Sequence, residues 1–487
     1  MNFISVEFFL FFTLLFIIHF SIPQQFRWVL LLFGSMIFYG SINLKFFLTL
    51  IIPFTFVIFF LTKKMSDTEN LKSRKKLLYI NLILSIGILA IFKYFNFFGN
   101  IVYNIIFLIK KPGTYSPVNI FFPIGISFFI FKTISYIVDI YRKDIETEKH
   151  FGYFLLYISF FPQMLAGPID RASKFIPELR KKSNIDINRI ISGLRQIIWG
   201  IFKKAVIADR LAIFINNIYQ NPSGHQGVTL IITAYFYSFQ IYCDFSAYSD
   251  IAIGLSKILG YKSMINFNFP YFSKSISDFW TRWHISLSTW LRDYLFLPIA
   301  YYTLRKNSSE KTLGIKTETW SYISGMFITM FLAGLWHGAG WTFIFWGLLH
   351  GFFLIIGHVT KKKKRKILRK LKLFSFPHFL TGIRIFITFN MVTFAWIFFR
   401  STSISNGILY IKSINFKYNG EGAGHILFNT LLVVFFILIE YILKNKNLIK
   451  EKIKIPMIIQ SISYALFICL IIILFIDKSQ EFIYFKF

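Results

Sequence analysis

Long apolar segments recur along the whole chain, with short polar stretches between them. A helix needs about 20 apolar residues to cross a bilayer core of about 30 Å. The pattern therefore predicts an all-α polytopic integral membrane protein with about ten to thirteen transmembrane or re-entrant helices. The segments lie near residues 3–20, 28–42, 46–62, 77–98, 119–140, 151–166, 190–208, 227–256, 319–335, 340–358, 380–399, 427–444 and 457–476.

Two stretches depart from this pattern. Residues 161–182 contain three prolines followed by mixed charges, so they cannot form a plain spanning helix. Residues 262–293 are too polar to span but are rich in aromatic side chains. Such compositions are typical of amphipathic interface helices or of segments that enter the protein interior. Because no repeat or soluble domain interrupts the chain, we predict a single membrane domain over residues 1–487.

The composition agrees with a membrane protein and argues against nucleic-acid binding. Hydrophobic residues make up 55% of the chain and charged residues 16%, whereas soluble proteins carry about 25% charged residues. The formal net charge is +32. However, the positive charges lie in short gaps between apolar runs, as they do in the cytoplasmic loops of membrane proteins. We therefore expect a multi-pass cell-membrane protein that does not bind nucleic acid.

The distribution of lysine and arginine predicts the orientation of the chain in the membrane. The strongest basic runs cover residues 63–76, 361–372 and 444–454. The positive-inside rule predicts that these runs face the cytoplasm. Three apolar segments precede the first run, so the N-terminus is expected outside.

One apolar run contains an unexpected histidine. In FLAGLWHGAGWTFIFWGLLHG, His337 lies among glycines. We predict one helix from about Trp320 to Leu335 and another from about Trp341 to His358, with a break at the glycines between them. At 1.5 Å per residue these helices are about 24 and 27 Å long, each shorter than the bilayer core. His337 would then lie inside the membrane at a helix break, where interrupted helices line a cavity or are buried in protein.

Two interpretations of His337 stay open on the residues alone. The break can be a packing junction, because Gly347 and Gly351 have the spacing of small residues that lets helices approach closely. In that case His337 only donates a hydrogen bond to a neighbouring carbonyl. Alternatively His337 marks a pathway or a site, as ionisable groups inside membranes commonly do.

A second histidine lies in SDFWTRWHISLSTWLRDY. His284 is surrounded along the sequence by Asp278, Arg282, Arg292 and Asp293. On a helix Asp278 and Arg282 would be neighbours at positions i and i+4, and three tryptophans would exclude water. The alternative is an interfacial aromatic belt with arginines that extend to the membrane surface.

Both histidine segments resemble the membrane-bound O-acyltransferase family. RWHISLSTWLRDYLFLP and GLWHGAGWTFIFWGLLHG are similar in particular to its bacterial branch that O-acetylates alginate and other exopolysaccharides. The blocks PQMLAGPIDR, QIYCDFSAYSDIAIGLSKILGY, NFNFPYFSKSISDFWTRWH and the terminal FIYFKF also resemble that branch and occur in the same order. The resemblance runs from about residue 120 to the C-terminus. One departure is the stretch 299–319, which replaces a glycine-rich turn and leaves open any substrate preference that this loop sets.

The resemblance implies a bundle of helices around a central channel and roles for individual residues. His337 corresponds to the histidine that the family uses in catalysis, and His284 to its companion. Other motif members that we regard as structural are Gly167, Pro168, Asp244 and Asp250. The positions that we match as substrate or channel candidates are Asp278, Arg282, Trp283, Asp293, Trp336 and Gln163.

These residue types suit acyl transfer to a hydroxyl. The reaction needs a base for the alcohol proton, stabilisation of the oxyanion and exclusion of water. Imidazole, with an ordinary pKa of about 6.5, is neutral yet protonatable near pH 7, and a positioned base contributes about 10²–10⁴-fold. We expect His337 to act as general base and His284 to position the donor or to help stabilise charge. A zinc site at these two histidines is discounted, because no third ligand stands at the usual spacing.

The resemblance also implies the substrates and partners. We expect no bound cofactor and an acyl thioester as donor, with acetyl-CoA as the default. The acceptor would be an extracytoplasmic polysaccharide, reached with an SGNH hydrolase-like acetyltransferase partner. Lys203, Lys204, Arg210 and the 361–372 run either attract the anionic donor or only fix the topology.

Three other functions are compatible with the sequence. The first is another reaction of the same family, either D-alanyl transfer to teichoic acids or O-acylation of peptidoglycan. The second is a transporter of acyl groups or glycans without covalent chemistry. The third is a structural membrane partner in a polysaccharide synthesis complex.

Overall fold

The computed structural model describes most of the chain, and its contacts group the chain into two compact units. Unit 1 comprises Met1–Ile197 and Ser249–Ile265, and unit 2 comprises Ile198–Tyr248 and Asn266–Phe487. The described residues are 1–107, 115–120, 123–225, 227–307, 309–312, 314–415, 422–445, 457–475 and 482–483.

The secondary structure of the described residues is almost entirely helical. Five helical stretches are long and apolar enough to cross a membrane, and two shorter apolar helices accompany them. The prediction of an all-α polytopic membrane protein is therefore confirmed. The five stretches are Gln24–Asp67, Leu71–Ile106, Trp341–Val359, Pro377–Arg400 and Ala423–Lys444, and the shorter helices are Val6–Ser21 and Ile462–Leu474.

Unit 1 contains the first helices of the chain. The stretch Gln24–Asp67 is not one straight rod, because Asn43 leaves the helical conformation (φ −162°, ψ 92°) and a wide π-helical turn follows at Phe47–Ile51. The two predicted segments, 28–42 and 46–62, are thus two helices. The helices of unit 1 are α1 Val6–Ser21, α2 Arg27–Phe46, α3 Ile52–Asp67, α4 Leu71–Leu89, α5 Phe95–Phe107, α6 Ile126–Arg142, α7 Phe151–Ser159, α8 Phe161–Met164 and α9 Ala172–Arg180.

Of the helices after α9, two contribute residues to both units, and the others belong to unit 2. The shared helices are α10 Ile187–Ile201 and α12 Val228–Leu259. Unit 2 also contains a short antiparallel ribbon, Lys311–Thr312 with Ile315–Lys316. Its helices are α11 Asp209–Gln220, α13 Ile276–Trp280, α14 Ile285–Leu291, α15 Leu297–Lys306, α16 Thr317–His337, α17 Trp341–Val359, α18 Lys361–Lys370, α19 Pro377–Arg400, α20 Ile404–Lys412, α21 Ala423–Lys444 and α22 Met457–Leu474.

Several predicted segments take irregular or short structure. The proline-containing region 161–182 forms the short α8 and α9, and 262–293 forms a 3₁₀ turn, α13 and α14, so neither spans as one helix. The divergent stretch 299–319 completes α15, forms the ribbon and begins α16. Of the terminal FIYFKF block only Phe482 and Ile483 are described, and residues 446–454 of the third basic run lie outside the described residues.

The pair α16–α17 carries the unexpected histidine. The predicted break is present, since Gly338 and Gly340 are extended and α17 starts at Trp341. The predicted length of the first helix is wrong. Its 21 residues make α16 about 32 Å long, because helical structure starts at Thr317, directly after the ribbon, and continues through His337. His337 is therefore the last residue of a full-length helix.

Candidate functional site

His337 lies in an aromatic box at the end of α16. Its side chain is 3% exposed. The rings of Trp336 and Trp346 meet the imidazole edge-on with centroids 4.8 Å away, and Phe399 does so at 5.3 Å. These contacts come from α16, α17 and α19, so three helices fix the orientation of the imidazole.

Close helix packing and the histidine site occur in the same helix pair. A Cβ atom on Gly347 of α17 would overlap with the carbonyl oxygen of Met330 in α16. The two backbones can therefore approach only because this position is glycine. The close helix packing predicted for Gly347 is thus confirmed. The same helix pair also carries His337 and Trp346, whose rings are in contact, so this packing does not exclude a chemical role for His337.

His284 is fully buried and held in an unusual backbone conformation. It precedes α14 with φ 43° and ψ 55°, in the left-handed region that side chains other than glycine rarely adopt. Such conformations cost on the order of 1–3 kcal/mol and persist where the surroundings enforce them. Here the Ile285 N–H donates to the Asn266 carbonyl at 2.8 Å, which fixes the turn next to the imidazole.

The hydrogen bonds of Asn266 define the tautomer of His284. Oδ1 of Asn266 lies 3.3 Å from the Ser286 backbone N–H, which can only donate, so this atom is an acceptor. His284 Nδ1 lies 3.0 Å from the same oxygen and must therefore donate its proton to it. Burial lowers the pKa of His284 to about 3, so the ring is neutral. A neutral ring protonated at Nδ1 carries its lone pair on Nε2.

Trp336 connects the two histidines. Its ring lies beside His337 and also meets the His284 ring, with centroids 6.1 Å apart. Phe245 closes another side of His284 at 4.6 Å. The sequence places the two histidines 53 positions apart, and the structure brings them to the same tryptophan within unit 2.

A cavity of about 460 Å³ lies in unit 2, and neither His284 nor His337 is among its lining residues. It is bounded by α13, α14, α16, α17 and the turn 292–296, and Ile285, the neighbour of His284, forms part of its wall. Hydroxyl groups of Thr281, Ser288 and Thr289 also line it and donate to carbonyls of their own segment at 2.7–2.9 Å. Because each hydroxyl proton is donated to a carbonyl of the same segment, the hydroxyl oxygens face the cavity as hydrogen-bond acceptors.

The charged candidates around His284 form local pairs. Arg282 Nε donates to Asp278 Oδ1 at 2.7 Å, as the predicted i,i+4 relation suggested. The two residues are not on one helix, since α13 ends at Trp280. Arg292 pairs with Asp293 at 2.7 Å, and Arg292 lines the cavity.

Three tryptophans form a cluster of aromatic side chains with His350. Trp283 is 1% exposed and packs against Trp396 with ring centroids 5.2 Å apart. His350 of α17 is fully buried and accepts a hydrogen bond from Trp280 Nε1 at 3.3 Å. A packing role therefore explains both Trp283 and His350.

Gln163, a substrate or channel candidate from the sequence, belongs to a buried polar network in unit 1. Its Oε1 accepts from Lys132 Nζ at 2.8 Å, and its Nε2 donates to Asp170 Oδ2 at 2.6 Å and to Ser263 Oγ at 2.9 Å. All of these contacts lie within unit 1, so they give the Gln163 amide a structural role there.

Lys203 and Lys204 are buried rather than displayed toward the cytoplasm, so neither interpretation of these charges from the sequence describes them. Lys204 Nζ lies 2.7 Å from Asp244 and 2.9 Å from Asp209, and Lys203 Nζ donates to Ser246 Oγ at 2.7 Å. Arg210, the third member of this group, donates to the carbonyl of the last residue of α22.

Sequence reasoning missed Asn266 and Ser286. Both are fully buried beside His284, yet neither is charged and neither stands at a regular spacing from the histidine. The available signal was the NFNFP block, where a polar residue alternates with phenylalanine.

Comparison with known proteins identifies the family. The family model described as MBOAT, membrane-bound O-acyltransferase, matches residues 142–404. The chain is 32% identical over 410 residues to the "Peptidoglycan O-acetyltransferase" of Helicobacter pylori, covering 79% of this chain and 73% of that protein. It is 33% identical over 401 residues to the "Probable alginate O-acetylase AlgI" of Azotobacter vinelandii, covering 82% and 75%.

A third relative has a different activity in its name. The chain is 32% identical over 298 residues to the "Teichoic acid D-alanyltransferase" of Streptococcus thermophilus, covering 59% of this chain and 69% of that protein. The family resemblance of the two histidine segments is thus confirmed over most of the chain. The protein belongs to the membrane-bound O-acyltransferase family and is a multi-pass membrane acyltransferase.

Proposed function

We propose that this acyltransferase moves an acetyl group from a cytoplasmic acyl thioester across the membrane for O-acetylation of an extracytoplasmic polysaccharide. The observation that carries the proposal is the pair of buried histidines, His284 and His337, in contact with one tryptophan. The printed names of two relatives, a peptidoglycan O-acetyltransferase and an alginate O-acetylase, support acetyl as the group and a polysaccharide as the acceptor.

His337 is the proposed general base. Its imidazole takes the proton of the acceptor hydroxyl while the alcohol oxygen forms the new ester bond. The C–S bond of the thioester then breaks, and the imidazolium returns the proton to the departing thiolate. The aromatic box supports this role, because it excludes water that would otherwise hydrolyse the thioester and it strengthens electrostatic interactions.

His284 is proposed to position a substrate. Because Nδ1–H is committed to Asn266, the lone pair on Nε2 can accept a hydrogen bond from a hydroxyl or an amide N–H. A neutral ring with this tautomer has no second N–H to stabilise an oxyanion. We therefore favour positioning over charge stabilisation, the other role that the sequence suggested for His284.

The hydroxyl-lined cavity is the proposed path of the donor. The pantetheine arm of an acyl thioester such as acetyl-CoA carries amide N–H groups, which match acceptor lone pairs along the wall. Arg292, whose Nε is paired with Asp293, lies at the cavity lining, where the rest of its guanidinium group can contact an anionic part of the donor. Met326 and Met330 provide the apolar part of the wall.

The proposed function requires a defined topology and a partner. We propose a bacterial cytoplasmic membrane location with the N-terminus outside, since three apolar helices, α1 to α3, lead from the N-terminus to the basic run 63–76. An SGNH hydrolase-like extracytoplasmic acetyltransferase would complete transfer to the polysaccharide.

Cysteine accessibility tests the topology. In a background with Cys243→Ala and Cys469→Ala, a Lys363→Cys variant is expected to react with a membrane-impermeant maleimide only in inverted vesicles. An Asn2→Cys variant is expected to react in intact cells. Labelling of both variants from the same side would contradict the proposed orientation.

An acetylation assay tests the function. Membranes with the native chain and its partner, incubated with labelled acetyl-CoA, are expected to yield base-labile label in the polysaccharide, and membranes without the chain are not. A second arm supplies a D-alanyl carrier-protein thioester, because one relative is a D-alanyltransferase. Transfer of D-alanine instead of acetyl would show that the donor is the carrier-protein thioester and not acetyl-CoA. Transport of acetyl groups without any ester product would contradict the proposed acetyl transfer.

The tautomer of His284 leads to a pH prediction. In an Asn266→Asp variant the new carboxylate favours imidazolium and is expected to raise the pKa of His284 by about 1–3 units from about 3. The raised pKa would lie at about 4–6. Protonation occurs below the pKa, so the variant should lose activity selectively as the pH falls from about 7 to about 4.

The control for this pH profile is Asn268→Asp. It adds the same charge at an exposed position two residues away. An identical pH profile for the two variants would show that the hydrogen bond between His284 and position 266 does not affect the reaction.

A further inference from the structure

Two arginines of unit 1 converge on the loop between α9 and α10. Arg27, the first residue of α2, donates from Nη1 to the Ser183 carbonyl at 2.5 Å. Arg189 of α10 donates from Nη2 to the Asn184 carbonyl at 2.6 Å. The two guanidinium groups are thus bound by the carbonyl groups of two consecutive residues, Ser183 and Asn184.

Gly260 keeps this arrangement compact. Its φ of +98° lies in the region that favours glycine, and a Cβ atom there would overlap with Ser183 Oγ and lie 3.4 Å from Arg189 Cζ. The next residue, Tyr261, is buried, and the positive charges of Arg27 and Arg189 oppose the rise in the pKa of its phenol that burial causes. Both guanidinium groups therefore lie close to the Tyr261 phenol.

Among the described residues, no carboxylate forms an ion pair with Arg27 or Arg189. Arg27 is 9% exposed, and the Nε–H groups of Arg27 and Arg189 are buried without a hydrogen-bond partner among the described residues. Asp186 accepts from the backbone N–H of Arg189, and Glu178 lies 3.9 Å from Lys181. Within the described ranges neither carboxylate comes within 4 Å of either guanidinium. Buried positive charge is unfavourable unless an anion accompanies it.

The chemistry of the cluster favours a phosphate group. Guanidinium groups bind phosphate oxygens with paired N–H donors in a planar fork. Two exposed lysines on the same loop, Lys181 and Lys182, add a positive field.

The position of the cluster favours a lipid as the source of that phosphate. Arg27 lies over the ring of Phe20 at 5.2 Å, at the end of the apolar helix α1 and the beginning of a membrane-spanning stretch. A stripe of exposed apolar side chains runs along α1 toward this end, with 56–71% exposure. It consists of Val6, Leu10, Leu14 and Ile17. Acyl chains that follow this stripe would bring a headgroup to the arginines.

We propose that Arg27 and Arg189 bind the phosphate group of an anionic phospholipid whose acyl chains lie along α1. This site lies within unit 1 and does not depend on the proposed acetyl transfer.

Binding to the purified full-length protein in neutral detergent tests the proposal. Phosphatidylglycerol is expected to bind and to raise the unfolding temperature, whereas phosphatidylcholine and inorganic phosphate are not. Arg189→Gln is the principal variant, because this side chain is only half-buried, and it is expected to weaken phosphatidylglycerol binding about tenfold or more. The matched control Lys182→Gln removes one exposed charge from the same loop and should change binding less than about twofold.

The outcomes separate the possible ligands. Unchanged phosphatidylglycerol affinity in Arg189→Gln overturns the site. Equal effects of Arg189→Gln and Lys182→Gln overturn it too, because they indicate diffuse electrostatic attraction. Inorganic phosphate that binds as tightly as the lipid overturns the lipid assignment. Arg27→Lys, which keeps the charge but removes the fork, is expected to weaken lipid binding while the protein still folds.

Discussion

Replacing His337 with glutamine is expected to reduce acyl transfer by about 10²–10⁴-fold while the protein still inserts and folds. Glutamine is polar and similar in size to histidine but cannot accept the proton of a hydroxyl, so the loss should equal the usual contribution of a positioned base. The measurement is the rate of label transfer from acetyl-CoA, normalised to the amount of variant in the membrane, together with the unfolding temperature of the purified protein.

His350→Gln is the matched control for this experiment. His350 is buried in the same aromatic region, contacts Trp346 with ring centroids 5.0 Å apart, and accepts from Trp280. Since no proton transfer is assigned to it, the variant should retain activity within a few fold. If His337→Gln stays within tenfold of the native rate, the base assignment is wrong. If both variants lose activity and stability together, the histidines are packing residues.

The sequence could predict the membrane character and the position of the break after α16. Both depend on local properties, namely the length of apolar runs and the glycines near His337. The end of α16 was misplaced by two residues and its start by three, because helix length depends on where the ribbon before Thr317 ends and on packing against α17. These are tertiary features that residue spacing does not record.

The partners of the histidines were less predictable. The charged neighbours of His284 in the sequence, Asp278 and Asp293, are each satisfied by an adjacent arginine. The groups that hold the imidazole are the neutral Asn266 and Ser286, and they reach it through a left-handed turn. Nearness in sequence therefore did not indicate which groups contact the imidazole, since a buried polar group is matched by whichever hydrogen-bond partners the fold brings to it.

The surroundings of Lys203 and Lys204 were also not predictable from the sequence. Both lie inside the apolar segment 190–208, and the usual expectation for a lysine side chain is an exposed position. These lysines are instead buried in a π-helical turn, Phe202–Ala208. The carboxylate of Asp244, which compensates Lys204, lies 40 positions away on α12. Only the fold brings the two charges together.

Asp244→Asn is expected to lower the free energy of unfolding by about 3–5 kcal/mol, the usual effect of breaking a buried ion pair. Asp244 accepts from Lys204 through Oδ1 and from the Ile483 backbone N–H through Oδ2, each at 2.7 Å. An amide has one acceptor oxygen, so one of these donors loses its acceptor. The measurement is the unfolding free energy of the purified protein from a denaturant titration.

Two further variants make the assignment specific to the buried cluster. Asp250→Asn is the matched control, because Asp250 lies six residues further along α12, is half-buried and accepts from Gln196. This change should cost less than about 1 kcal/mol. Lys204→Met should be more destabilising than Asp244→Asn, since it leaves Asp209 and Asp244 without the cation between them, whereas Asp244→Asn leaves Lys204 with Asp209. If the order is reversed, or if Asp250→Asn is equally harmful, the ion cluster does not stabilise unit 2 through its charges, and the packing of Phe482 against Lys204 becomes the better explanation for its burial.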